Sequence, residues 1–511
     1  MPLGIQGRSN IAGAAAGILL GLCGASAATA AAPTTASGWT QLFQNQSSAV
    51  WDGSDQDFSY LASNGVTYWS FGDTVLGTNN AGGGLNGGWT MVANTLLMEK
   101  NGALSAATST YPSVPNNADG KSYWADGVFE ANGYLYCLSQ KRDNAGACYG
   151  MELAKFQFQP NGTLTFLGMI NTPSTGVAAT NGDYGPATCQ FSSDTVVADG
   201  YVYVFGVGNV NNIYSPRECY VARIPASSIE NSAAWTFWNG SSWVTGSMSQ
   251  CAPILPDGIT SAKRIGGKWV LIHKPFGPYG SDVYAEVGPS PIGPWTQYDL
   301  FQSPAVSGQP TGGNYDTYYP QLHPEKPLAS GKLLVSIARA GATWNDEIAN
   351  AGLYKPQFYE ISLPGVLTTG TVHQVAPKNA PGSRLEEYGT SQTSGTSTDI
   401  WSSNNNANQK WAFNWVGPDL WELTPQSAPA LRLNVTGSGN ANGVKTQVST
   451  ANGASSQRWN IVDQGSGYTA LFPLCAPGKA LDLDSGTSAN GTSVQIWGYL
   501  PGWSEQLWQI F

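Results

Sequence analysis

The chain has 511 residues with 62 Gly, 31 Pro, 19 Trp and 23 Tyr but only 11% charged residues. That length calls for more than one core, and the composition suits short strands and tight turns with aromatic rings for cores and for sugar faces. A formal charge of −10 and a pI near 4.8 exclude partners that demand basic patches, nucleic acid and anionic membrane surfaces, and a neutral polymer fits better.

At the N-terminus Arg8 precedes an apolar stretch from Ile11 to Leu22. Ala25-Ser26-Ala27 and Ala28-Thr29-Ala30 then follow with the form of a cleavage site. The reading is a secretory signal over 1–32, too short to span a bilayer, and a secreted, extracellular product without a membrane anchor. Residues 33–38 are expected to be an unstructured lead-in. Beyond the signal lie six cysteines in a chain bound for an oxidising compartment. Cys137 and Cys148 flank a short polar loop and are the first choice for a disulfide; Cys189 with Cys219 is the second. No CxxC and no histidine at ligand spacing occur, so neither a metal nor a cofactor is expected.

The stretch 51–74 reads as a β-hairpin, with a run over 58–62, a Ser63-Asn64-Gly65 turn and a returning run over 66–71. Asp55 and Asp57 lie at its entrance and Asp73 at its exit, so one rim gathers three carboxylates. Paired carboxylates can work on a glycosidic bond because one is held protonated while its neighbour stays ionised. Hairpins with the same grammar recur over 126–140, 189–208, 260–275 and 318–340, starting roughly sixty to seventy residues apart. Segments fit to be outer strands lie between them, at 151–158, 219–226, 282–290 and 357–364. The expected fold is all-β, a five-bladed β-propeller over 39–366, with a stacked β-sandwich as the poorer account. Its rim would bring together Asp55, Asp57, Asp73, Asp126, Asp183, Asp257 and Asp316, most of which double as ordinary turn residues.

Several motifs of this region, the WSFGDT that ends the first hairpin, AAWTFWNGSSWV at 233–244, SPIGPWT at 290–296, and YYPQLHPE with LLVSIAR within 318–339, resemble the secreted propellers grouped as domain of unknown function 4185 and their relatives. The resemblance covers roughly the first 365 residues and implies a glycoside hydrolase of the endo-D-arabinanase kind, acting on a furanoside-containing glycan such as arabinan or arabinogalactan. It places catalytic aspartates in the first blade, at Asp55 and Asp73, with Asp57 a helper or a turn residue. Arabinanase-type propellers carry a Glu acid on the third blade, and around 183–190 this chain has none. Asp126 is a third catalytic candidate that could raise a neighbour's pKa or hold a sugar hydroxyl, or be a plain turn aspartate. Asp57, Trp124, His323 and Glu325 are candidates for holding substrate. Trp51, Trp69 and Tyr319 could stack on a sugar, although Trp69 alternates with the strand as a core residue does. For His323 and Glu325 a packed, hydrogen-bonded core role is the competing reading, and a central cation another.

After a linker over 367–382 the text changes to Asn, Ser, Gln and Gly with spaced Trp. NQKWAF at 408–413, SQRWNI at 456–461 and EQLWQI at 505–510 repeat about 48 residues apart, three copies of a unit that cannot bury its apolar face alone. Residues 383–511 thereby resemble the ricin-type β-trefoil lectin, carbohydrate-binding module family 13. That family's pocket maps in the third copy onto Asp482, Gln495, Trp497 and Gln506, with Glu505 where an Asn is usual. The first copy offers Glu386, Asp399, Trp401 and Asn408, with two polar groups altered. The second has Ser449 where the stacking ring belongs. The sequence thus points to a secreted monomeric hydrolase whose partner is a polysaccharide, held near it by a lectin. A non-catalytic glycan-binding protein is the rival. No sialidase box occurs, and three histidines supply no protease triad.

Overall fold

The structure, a computed structural model, describes residues 31–143, 147–175, 190–208, 218–246, 248–277, 280–303 and 315–511. Residues 1–30 of the expected signal, Asp183 and Cys189 lie outside them. The described chain is all-β apart from short helices, and no helix among these residues is long and apolar enough to cross a membrane.

The first helix, Ala36–Gln44, occupies part of the stretch expected to be an unstructured lead-in. Thr35 caps it by accepting from Gly38 N at 3.1 Å. Trp39 and Phe43 lie one turn apart on its inner face and enter a cluster with Trp51, Trp69, Phe71 and Phe358. Ala36 N donates to Glu360 Oε1 at 3.1 Å, so the helix joins the start of the chain to the last strand of the N-terminal region.

Five antiparallel sheets follow in chain order. The first is Phe58–Leu61, Thr67–Phe71, Thr95–Lys100 and Ala103–Ala106. Ser122–Ala131, Tyr134–Arg142, Cys148–Phe158 and Leu164–Asn171 make the second. The third begins with Gln190–Ala198 and Tyr201–Gly208, the fourth with Ile259–Ile265 and Lys268–His273, the fifth with Tyr315–His323 and Leu333–Gly341. Consecutive strands pair because each turn is a tight reversal; Gly65, at φ 75°, makes the first. The first strand of each sheet touches the first strand of the next, and that of the fifth touches that of the first.

In sheets two to five the register of this innermost pair breaks near the start of the first strand, at Ala125/Val128, Gln190/Asp194, Ile259/Ser261 and Tyr318/Gln321. Such bulges turn side chains that strict alternation would send elsewhere. Asp126 and Asp194 lie at two of them.

The expected Cys137–Cys148 disulfide is not formed. The two residues are on adjacent strands, but Cys137 faces Ala154 while Cys148 faces Arg142. That separates them by about five residues, roughly 17 Å, far beyond disulfide reach. Cys219 is a buried thiol pushed up to about 12 by burial, and the second expected pairing falls on Cys189, outside the described residues.

The C-terminal strands form a seven-stranded and a six-stranded sheet. Trp411, Trp459 and Trp508 are buried at their centre, and each indole donates to a leucine carbonyl, of Leu385, Leu433 and Leu481, at 3.0, 3.1 and 3.0 Å. This threefold identity is the structural meaning of the QxW spacing. Strands Thr371–His373 and Val375–Pro377, within the stretch expected as a linker, already pair with strands of this unit. One apolar cluster runs from Ile265 and Val270 of the fourth sheet through Leu333 and Ile361 of the fifth to Trp411 and Trp459. Arg264 Nε meets Asp419 Oδ2 at 3.2 Å and Lys268 Nζ meets Asp463 Oδ2 at 2.8 Å across the same boundary. The lectin-like unit is therefore docked rather than hung on a tether.

Gly267 sits at that boundary with φ 81°, and a Cβ there would come within 2.3 Å of Asp463 N. Gly267→Ala is expected to cost about 1–3 kcal/mol, visible as a lower Tm. Gly465→Ala, at φ 78° with open space around it, serves as the comparison that separates backbone strain from the steric clash.

Candidate active site

The open end of the first hairpin is closed by backbone bonds. Gly72 N donates to Asp55 O at 3.1 Å and Asp55 N to Asp73 O at 3.4 Å. Gln56 takes a left-handed conformation at φ 67°, unusual for a residue with a Cβ, between the two aspartates. A Cβ on Gly72 would lie 2.4 Å from Asp55 Oδ1 and 2.8 Å from Gln56 Oε1. Only glycine allows both side chains to sit where they do.

The three first-hairpin carboxylates divide by depth. Asp55 and Asp73 are half-buried, whereas Asp57 is 1% exposed. Asp73 Oδ1 accepts from Trp124 Nε1 at 3.0 Å, and the Arg142 guanidinium covers the Trp124 ring at 3.8 Å. One face of a half-buried indole is thus fixed by a cation and its edge by a carboxylate. Tyr318 OH donates to Asp55 Oδ2 at 3.4 Å from the fifth sheet.

Asp126, 2% exposed, comes from the bulge of the second sheet. Burial holds its carboxyl well above the ordinary range; Arg142 and a Gln56 hydrogen bond oppose this, while Asp55 and Asp194 add to it. Asp55 and Asp126 therefore belong to one electrostatic group. Asp194, on the third sheet, ends differently: Lys263 Nζ donates to it at 2.7 Å and Ala262 N at 2.9 Å. It is a paired acid, and it stands on the sheet where the sequence around 183–190 offers no glutamate.

Asp57 is pushed up to about 7 by burial, which the nearby Ser336 hydroxyl offsets only in part. Neither carboxyl oxygen has a hydrogen bond of normal geometry. His323 and Glu325 lie elsewhere. The His323 ring is fully buried against Trp69, centroids 4.8 Å apart, with Ser59 Oγ at 2.6 Å from Nδ1 and Ser336 Oγ at 2.7 Å from Nε2. Both nitrogens are engaged, leaving none for a sugar. Glu325 accepts from Ser59 at 2.6 Å and lines a small cavity of about 40 Å³ shared with Lys263, Arg264, Trp415 and Asp419 of the docked unit. Trp51 and Trp69 are core residues, Tyr319 is half-buried, and among the described residues no cluster of ligands suits a metal. Sequence reasoning missed Gln56, Arg142, Asp194, Lys263 and Ser336; a polar residue between two aspartates was the only visible sign of any of them.

In the lectin-like unit Asp482 accepts from Gln495 at 2.9 Å and from the fully buried Gln506 at 3.1 Å, beside Trp497, which is 37% exposed. Gln506 orients the acid and is itself out of reach. The first copy keeps the frame: Gln409 donates to Glu386 at 2.8 Å beside Trp401, 39% exposed. Its Asp399, opposite Glu386, is pushed up to about 7 by burial and by that neighbour. In the second copy Gln457 binds only backbone among the described residues, and Ser449 offers no ring.

The family of the N-terminal region follows from its match over residues 37–363 to the family described as Domain of unknown function (DUF5005). The chain belongs to the DUF5005 family. Beyond the DUF5005 region, residues 407–497 match the Ricin-type beta-trefoil lectin domain-like family. No curated protein matches the chain. Among solved structures, a Bacteroides ovatus ATCC 8483 protein provisionally assigned as a hydrolase is similar at 19% identity, over 63% of this chain and 88% of its own, with a TM-score of 0.49. An exo-beta-1,3-galactanase from Clostridium thermocellum is similar at 14% identity, over 90% of this chain and 98% of its own, with a TM-score of 0.36. A Macrolepiota procera ricin B-like lectin in complex with lactose is 23% identical over 28% of this chain and 96% of its own, TM-score 0.24.

The raised Asp57 carboxyl makes a pH-dependent prediction. An unfolded aspartate ionises near 3.9, while the folded one holds its proton to about 7. Stability is therefore complete below the lower value, falls as pH rises between the two, and levels off above. Asp57→Asn is expected to remove that slope, gaining on the order of 2–4 kcal/mol over wild type above neutrality and nothing at low pH, measured as denaturant unfolding against pH.

Proposed function

We propose that this chain is a secreted glycoside hydrolase whose five sheets are the blades of a β-propeller and whose trefoil holds the polysaccharide beside them. The propeller reading is supported by the five consecutive antiparallel sheets and by the cyclic order in which their first strands touch. One observation carries the chemistry: two interacting carboxyl groups, one buried at the bulge of the second sheet and held well above the ordinary range by burial, Asp126, and one half-buried just before the first inner strand, Asp55. That split is what acid/base work on a glycosidic bond requires. Asp126 supplies the proton for the leaving oxygen, and Asp55 is base or nucleophile. Asp73 orients Trp124 as a platform for a sugar face, so the partner of Asp55 is Asp126 in preference to Asp73. The substrate class, furanoside-containing glycans such as arabinan or arabinogalactan, rests on the motif resemblance, and secretion on the N-terminal pattern.

Asp55→Asn and Asp126→Asn are each expected to lower kcat about 10²–10⁴-fold. Asp73→Asn is expected to raise KM more than it lowers kcat. The measurement is reducing-end release from arabinan, arabinogalactan and fructan. Unchanged release in the first two variants sinks the assignment and leaves the rival reading, a propeller that only holds glycan.

For the trefoil, Trp497→Ala and Trp401→Ala each remove one exposed platform. Each is expected to weaken polysaccharide retention in affinity electrophoresis by roughly 1–3 kcal/mol of binding, and the double variant to abolish it. Ser449→Ala is expected to change nothing.

A further inference from the structure

The three copies of the lectin-like unit share one register, with Glu386 opposite Asp399, Asn434 opposite Gln447 and Asp482 opposite Gln495, so their pockets compare residue by residue. In each, a neighbouring copy lends one residue to the second position: Ser397 faces Gln447, Lys445 faces Gln495 and Ser493 faces Asp399. The third pocket is an acid–amide pair with a cation at hand, because Lys445 Nζ donates to Gln495 Oε1 at 3.0 Å. In the first pocket both facing residues are acids, Glu386 and Asp399, 5% and 4% exposed, and the lent residue is a serine. Gln409 donates to Glu386 at 2.8 Å, but Asp399 Oδ1 is buried with no hydrogen bond of normal geometry. Their strand sends Ile400 into the core, so Asp399 and Trp401 share its outward face. Among the described residues no lysine or arginine pairs with either acid. Arg384, opposite Trp401, turns away: its Nε donates to Gln374 Oε1 at 3.2 Å and its guanidinium lies 4.8 Å from the centre of the Phe511 ring.

We propose that the first pocket of the trefoil binds a sugar bearing a free amino group, its ammonium held between Glu386 and Asp399 and its ring on Trp401, whereas the third pocket takes neutral sugars. A buried charge must be paired or neutralised, and two facing acids with no basic side chain beside them leave that pairing to the ligand. Burial, and then Glu386, pushes Asp399 up to about 7, the response of an acid beside a second acid. Two carboxylates fall short of the about six to eight oxygens that a calcium ion takes, and among the described residues no third acid, histidine or cysteine joins them. An ammonium has three donors, enough for both carboxylates with one to spare. Trp401, 39% exposed, supplies the face for the ring. In the third pocket the bond from Gln495 to Asp482 at 2.9 Å and the Lys445 cation leave no excess of acceptors, which suits hydroxyl groups. The proposal rests on the reading of the trefoil as a glycan-holding unit and not on hydrolysis by the propeller.

The test is titration calorimetry on the full-length chain with the chitosan tetramer and its N-acetylated counterpart, the chitin tetramer, at about pH 6, where the amino groups are charged. Trp497→Ala isolates the first pocket and Trp401→Ala the third. In Trp497→Ala the amino tetramer is expected to bind about tenfold tighter than the acetylated one, an advantage that shrinks as salt is raised. Asp399→Gln, which rebuilds the acid–amide pair of the third copy, is expected to abolish the preference. Ser493→Lys is expected to do the same by supplying a cation while both acids stay in place. In Trp401→Ala no preference for the amino tetramer is expected. Equal affinity for the two tetramers in Trp497→Ala, or a preference that survives both Asp399→Gln and Ser493→Lys, would overturn the proposal. So would a preference of the same size in Trp401→Ala, the mark of general attraction to a chain of charge −10. No binding of the amino tetramer while polysaccharide is still retained overturns the proposal alone; no binding of any glycan removes the glycan-holding reading as well.

Discussion

Convergence of five inner strands removes from water whatever polar groups lie along them, and most features of the N-terminal region answer that constraint. A buried charge must be paired, neutralised or assigned to a ligand. Asp52 is paired with Lys355 at 3.1 Å and Asp194 with Lys263 at 2.7 Å. His323 is neutralised and bracketed by two serines. Asp57 and Asp126 have no such ion pair among the described residues, and burial holds both carboxyls above the ordinary range. The distinction between acids that hold the fold and acids available for chemistry is therefore made by partners, since Asp194 and Asp126 are equally buried.

Backbone irregularity does the positioning. Four of the five inner pairs slip register near the same end, and the fifth reaches the same rim through Gln56 in a left-handed conformation. These departures from ideal pairing concentrate where side chains must be re-aimed, as bulges beside functional sites do. Gly72 completes the arrangement by leaving space that a methyl group would take from Asp55 and Gln56.

The trefoil contributes more than proximity. Its core is continuous with that of the fourth and fifth sheets, and Asp419, pushed up to about 7 by burial against the pull of Arg264, lines the cavity at the back of the inner strands. A docked module keeps its exposed Trp401 and Trp497 at fixed positions relative to the rim that carries Asp55. On the proposed hydrolase reading, local concentration would come with a fixed direction, which a flexible linker would not supply.

The sequence by itself determined the local grammar. Alternation and glycine turns marked the hairpins, and 58–62 against 66–71 is the pairing observed. The QxW spacing marked three equivalent lobes, because a buried tryptophan with one indole donor needs the same carbonyl in each. It also nominated Asp55 and Asp73, which meet because the two ends of a hairpin lie side by side. Three-dimensional packing decided everything that depends on which strand neighbours which. His323 and Glu325 looked like ligands beside a proline, and they lie behind the site because strand direction, invisible in a motif, sends them there. Cys137 and Cys148 looked close, but register set them about 17 Å apart. The helix over 36–44 hid in a stretch of small and polar residues because its apolar face needs the distant Phe358 to be worth burying. The roles of Asp57, Asp126 and Asp194 diverge for the same reason: an isolated aspartate has one acidity, and only its neighbours across the sheets change it.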